Sequence, residues 1–93
     1  MIVIDNQKAI EISKVITISP RQAREIIIRN GLFNTIETYI NNIEDETERL
    51  IARNYWEYSE VFERNHPILI QLKSALGITD EQLDNMFKEA SKL

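Results

Sequence analysis

Ninety-three residues, 43% of them hydrophobic and 28% charged, with two glycines, two prolines and no cysteine, specify one small helical domain. The missing cysteine excludes a disulfide framework, a thiol nucleophile and a thiolate metal site and suits a reducing compartment. No apolar run approaches the roughly 20 residues of a membrane span, and a net charge of −4 argues against a general nucleic-acid binder that gains affinity by neutralising phosphates.

In chain order, Met1-Ile2-Val3-Ile4-Asp5 has no basic segment ahead of an apolar stretch, so it is not a signal peptide and no leader is expected to be removed. Ile2, Ile4, Ile10, Ile12, Ile16 and Ile18 are spaced in twos, and Val3, Val15 and Thr17 add β-branched character, so residues 1–18 prefer extended structure. These pieces are too short for a sheet of their own. The reading is an arm lying across this or a neighbouring subunit, with a small β-ribbon as the alternative. An arm with exposed isoleucines and unpaired amides invites pairing with another chain.

Residues 19–93 form the helical domain. Ser19-Pro20-Arg21-Gln22 is a helix start, with a reciprocal Ser19–Gln22 capping box and Pro20 where its missing N–H costs nothing. That helix runs from about Pro20 to Asn30 and stops at Gly31, turning its Ala23, Ile26 and Ile27 inward. A second helix, about Leu32 to Asn42, carries Leu32, Phe33, Ile36, Tyr39, Ile40 and Ile43 on one stripe, so the two make a helical hairpin. Asp45 and Glu48 then open the longest predicted helix, about Glu46 to Asn65, with Ile51, Tyr55, Tyr58 and Phe62 as its central stripe and Ala52 and Trp56 at one edge. Its apolar arc exceeds half the circumference, which places it between other elements. His66-Pro67 starts a fourth helix ending at Gly77, with Ile68, Leu69, Leu72, Ala75 and Leu76 inward. A last capping box, Thr79-Asp80-Glu81-Gln82, opens a fifth with Leu83, Met86, Phe87, Ala90 and Leu93 inward. The expected architecture is therefore all-α, a bundle of about five helices with an extended or β-prone N-terminal arm.

The charge is uneven. Residues 1–43 carry five basic and four acidic groups, and residues 44–93 carry six basic and eleven acidic ones.

Enzymatic chemistry has few candidates: one histidine, no cysteine and no glycine-rich loop. His66 precedes a proline at a helix junction, where a ring nitrogen best serves a backbone group. Glu63-Arg64-Asn65-His66 has the Glu-x-x-His spacing of carboxylate-bridged metal bundles, but those need a second such motif and inward glutamates, which are lacking. No metal or other cofactor is expected. The second hairpin helix contains no Lys or Arg, so it lacks the phosphate anchors and guanine readers of a recognition helix, and the helix opening Asp80-Glu81 would be repelled by phosphate. Tyr55, Trp56, Tyr58 and Phe62 fit core spacing, and of these Trp56, at the edge of the arc, is the one expected as a surface contact.

Pro20-Arg21-Gln22-Ala23-Arg24, Asn30-Gly31-Leu32-Phe33, Trp56-Glu57, Glu63-Arg64-Asn65-His66-Pro67 and the stretch Leu76-Gly77-Ile78-Thr79-Asp80-Glu81-Gln82-Leu83-Asp84-Asn85-Met86-Phe87, in that order, resemble a family of small proteins of tailed bacteriophages and prophages encoded near tail genes. The similarity covers about four-fifths of the chain, from Ser19 onward. Phe33 and Met86 stand at positions where the family usually has Leu, and the isoleucine-rich arm is longer. The resemblance implies a non-enzymatic phage protein of the host cytoplasm or the virion, acting by protein–protein contacts in tail structure or assembly. In that reading Ile2, Ile4, Ile10 and Ile12 supply strand or hydrophobic contacts to a tail protein or a second copy. Arg21, Arg24 and Trp56 supply a surface anchor. The alternative is a phage-encoded inhibitor of a host defence or regulatory protein, its acidic second half imitating nucleic acid.

Overall fold

The computed structural model describes residues 15–93. Thr17–Ile18 is a short strand (β1), followed by helices Pro20–Arg29 (α1), Phe33–Asn41 (α2) and Glu46–Tyr58 (α3), a second short strand Phe62–Glu63 (β2), and helices Pro67–Leu76 (α4) and Asp80–Ala90 (α5). The fold is all-α with one two-stranded antiparallel ribbon, Thr17 opposite Glu63 and Ile18 opposite Phe62.

Local chemistry sets the helix ends as the sequence predicts. In α1 the Gln22 amide donates to Ser19 Oγ at 3.1 Å and the Ser19 amide donates to Gln22 Oε1 at 2.9 Å; Thr79 and Gln82 repeat the same distances in α5. Asp45 Oδ2 accepts from the Glu48 amide at 2.9 Å at the start of α3. Gly31 and Gly77 both sit at φ 70°, letting Leu32 N–H close on the Ile27 carbonyl at 3.0 Å and Ile78 N–H on the Lys73 carbonyl at 3.1 Å.

The largest departure lies after Tyr58. The predicted helix to Asn65 stops seven residues early, and the chain turns to form β2. Continued helix would carry Phe62 round toward the side of Tyr58, which is 73% exposed; as strand, Phe62 is 1% exposed and its backbone pairs with Ile18. Burying an aromatic side chain is worth about 1.5–3 kcal/mol, more than the turn of helix it replaces. The same pairing draws Ile18 into the core at 5% exposure, and Arg64 N–H donates to the Ile16 carbonyl at 2.8 Å. The C-terminal end of the expected arm is thus part of the domain, in the ribbon form weighed as the alternative. Residues 1–14, with Ile2, Ile4, Ile10 and Ile12, lie outside the described residues.

One core results, with Trp56, Phe62, Ile36 and Ile40 as its largest fully buried side chains. Helices α1 and α5 pack side by side, the start of α1 against the end of α5: Arg21 Nη2 donates to the Leu93 carbonyl at 2.9 Å and Gln22 Nε2 to the Ser91 carbonyl at 3.4 Å. Helix α2 packs on α1, α3 and α4. Ala75, expected inward, is exposed on α4.

Candidate interaction surface

Helix α3 has two unlike faces. Inward, Ala52, Tyr55 and Trp56 are buried. Trp56 tilts against Phe33 and Phe62, each with ring centroids 5.9 Å away, and Nε1 donates to Glu37 Oε2 at 2.7 Å. The Arg24 guanidinium lies 4.6 Å from the Trp56 ring centroid and donates from Nη2 to the Trp56 carbonyl at 2.8 Å. The proposed surface anchor is therefore corrected: Trp56 is 2% exposed, and Arg24 clasps α1 to α3 instead of facing a partner. A wide aromatic beside Phe33 and Phe62 lowers more free energy in the core than at an edge. Arg21 does reach the surface, paired with Glu25 at 3.1 Å; Glu25 also accepts from Arg29 at 2.8 Å.

Glu37 also receives Arg53 Nη1 at 3.3 Å, and Arg53 donates to Glu57 at 2.8 Å and to Asn41 Oδ1 at 2.6 Å. Glu57 first, then Glu37, hold the Arg53 pKa above its ordinary value. This α2–α3 network is not legible in the sequence, because a Glu on one helix and an Arg sixteen residues on carry no periodic signal that joins them. A second cluster ties β2 to α5: Arg64 Nε donates to Asp84 Oδ1 at 2.7 Å and Nη2 approaches Asp80 Oδ1 at 3.5 Å, which Lys73 Nζ reaches at 2.8 Å. Lys73, and after it Arg64, hold the Asp80 carboxyl below its usual range. Part of the acidic second half is thus balanced by its own cations.

His66 caps α4 as expected, Nδ1 accepting from Ile68 N–H at 3.1 Å, with its ring stacked on Tyr55 at 4.1 Å. Because Glu63 lies in β2 and His66 is a cap, the two do not share the helical face that the Glu-x-x-His reading requires. No group of three His, Asp or Glu side chains suited to a metal occurs among the described residues. Burial pushes the Tyr55 hydroxyl up to about 12. No hydrogen bond of good geometry reaches it among the described residues, although the Glu63 backbone lies close enough to the hydroxyl to oppose part of the rise.

The described residues also enclose two concavities of note. An apolar cavity of about 40 Å³ in the core, bounded by residues such as Ile27, Leu72 and Phe87, has no room for a ligand of metabolite size. A shallow groove of about 450 Å³ runs between the two glycine turns, with Leu32, Ile78 and Met86 beside Asn30, Gln82 and Glu89.

The outward face of α3 is the more unusual feature. Thr47, Leu50, Ile51, Asn54 and Tyr58 are all exposed, Leu50 at 58%, Ile51 at 52% and Tyr58 at 73%. They form a charge-free stripe on the side of the helix opposite the core. Ile51 and Tyr58 were expected at the centre of the inward stripe. The structure inverts them, and of that stripe Tyr55 on α3 and Phe62 in β2 stay inside.

No protein-family model, curated protein or solved structure matches this chain.

Proposed function

We propose that this chain is a non-enzymatic protein that works through protein–protein contacts in the structure or assembly of a bacteriophage tail. The observation that carries the contact reading is the exposed apolar stripe Leu50, Ile51 and Tyr58 on a helix whose other face is fully packed. Isolated exposed leucines need no explanation, but aligned apolar side chains free of charge mark interaction sites. The tail assignment is supported by the ordered motif resemblance from Ser19 to the C-terminus. Ile2, Ile4, Ile10, Ile12 and Arg21 remain the candidate contact residues outside α3.

Affinity-tagged chain isolated from cells producing the encoding phage tests this reading. Capture of tail proteins, and presence of the chain in purified virions or tail intermediates, are the expected results. Capture of a host nuclease or effector transfers the function to the inhibitor alternative, and absence from virions with no phage protein bound removes the assembly role.

A further inference from the structure

The outward face of α3 has the composition of a buried surface, yet nothing among the described residues covers it. We infer that α3 pairs antiparallel with α3 of a second copy of this chain, about a two-fold axis passing at Asn54. The inference rests on the contact reading above only in taking this face as an interface; which phage or host protein the chain serves does not enter it.

A two-fold interface must complement itself, and this stripe does. With the axis at Asn54, Leu50 and Ile51 of one copy fall opposite Tyr58 of the other, so two aliphatic side chains meet one aromatic ring at each end. The two Asn54 amides meet at the centre, where each can donate to and accept from the other, the arrangement by which a single polar residue fixes register between paired helices. A parallel pair would instead bring Glu46 and Glu48 level with their own copies, and like charges repel. Opposed helix dipoles also favour the antiparallel arrangement.

Charge at the rim agrees. Arg53 and Glu57 border the same edge of the stripe, already 2.8 Å apart within the chain. In the antiparallel pair Glu57 of one copy falls two residue positions, about 3 Å along the axis, from Arg53 of the other, so the two Glu57 carboxylates and the two Arg53 guanidiniums balance at that edge. The area is sufficient for a modest dimer. At about 200 Å² for a large side chain, the exposed fractions of Leu50, Ile51 and Tyr58 amount to about 350 Å² per chain. With Thr47, Asn54 and the rim this approaches the low end of specific interfaces, about 600 Å² per partner. The resulting dimer should dissociate on dilution.

The chain has no cysteine, so a single thiol reports proximity cleanly. Full-length Asn54→Cys should form a disulfide-linked dimer on mild oxidation at least tenfold faster than Ala75→Cys, whose position is exposed on α4. In parallel, Leu50→Glu/Ile51→Glu should raise the dimer dissociation constant at least tenfold in sedimentation equilibrium. Both side chains are exposed, so circular dichroism and melting temperature should stay near those of the parent and separate lost pairing from lost folding. Cross-linking of Asn54→Cys no faster than the control overturns the pairing. So does a monomeric mass at every concentration, including the case in which residues 1–14 of the same chain or an unrelated protein covers the face. Failure here leaves the tail reading standing, because that is decided by co-purification.

Discussion

Replacing Tyr55 by Phe removes one oxygen atom and tests how the interior around β2 is built. The ring stays in place, edge-on to Phe62 with centroids 5.1 Å apart and stacked on His66. What leaves is a hydroxyl that is buried and unbonded among the described residues. A buried, unpaired polar group costs about 1–3 kcal/mol, so Tyr55→Phe should be neutral to stabilising by about 1 kcal/mol. For a domain of this size that raises the melting temperature by roughly 4–8 °C. Alkaline pH gives a second readout. The Tyr55 pKa is raised to about 12 from an ordinary 10. Its contribution is fully present below pH 10 and is lost as pH rises from 10 through 12, because the unfolded chain releases that proton first. The loss reaches up to about 2–3 kcal/mol, since each tenfold difference in proton affinity between the folded and unfolded chain is worth about 1.4 kcal/mol. Urea unfolding at pH 7 and across pH 9–12, for parent and Tyr55→Phe, measures both effects, and the variant should lack this part of the alkaline decline. A variant destabilised by more than 1 kcal/mol at pH 7, or one with an unchanged alkaline limb, would refute the reasoning and show that the hydroxyl is bonded in solution.

The remaining predictions concern the supports of the fold. Glu37→Leu leaves Trp56 Nε1 without its acceptor and Arg53 without one of its two carboxylates, and should cost about 1–3 kcal/mol in chemical unfolding; no change would mean that this α2–α3 network contributes nothing. Trp56→Ala should cost about 3–5 kcal/mol and leave little folded protein at 37 °C, whereas a mere surface contact residue would leave the melt unaltered. Gly77→Ala should cost about 1 kcal/mol through backbone strain alone, since φ is 70° and no atom lies within 4 Å of the added methyl. Ser19→Ala and Thr79→Ala each remove a reciprocal cap and should cost about 1 kcal/mol, additively within error because α1 and α5 are capped independently.

The punctuation of this fold was legible in its sequence because it is local. Ser19-Pro20-x-Gln22, Asp45, His66-Pro67, Gly77 and Thr79-x-x-Gln82 act within one helical turn, and each helix boundary they announce is present. The C-terminal end of α3 was not legible for the opposite reason. No Gly or Pro interrupts residues 58–65; the break comes from Phe62 and its strand pairing with Ile18, more than forty positions away. That break moves the apolar stripe. A helix continued through Phe62 turns Ile51 and Tyr58 inward and leaves Trp56 at the margin. With the helix ended at Tyr58, Ala52, Tyr55 and Trp56 form the packed side and the former centre faces out. The width of the apolar arc placed that helix between other elements, and the structure corrects this: among the described residues α3 is covered on one side only.

The mass of the 93-residue chain in solution, measured by sedimentation equilibrium over a dilution series, tests most directly the claim that α3 pairs with α3 of a second copy. A particle of twice 10.9 kDa at high concentration that falls toward 10.9 kDa on dilution is the expected result. A mass of 10.9 kDa throughout would contradict it.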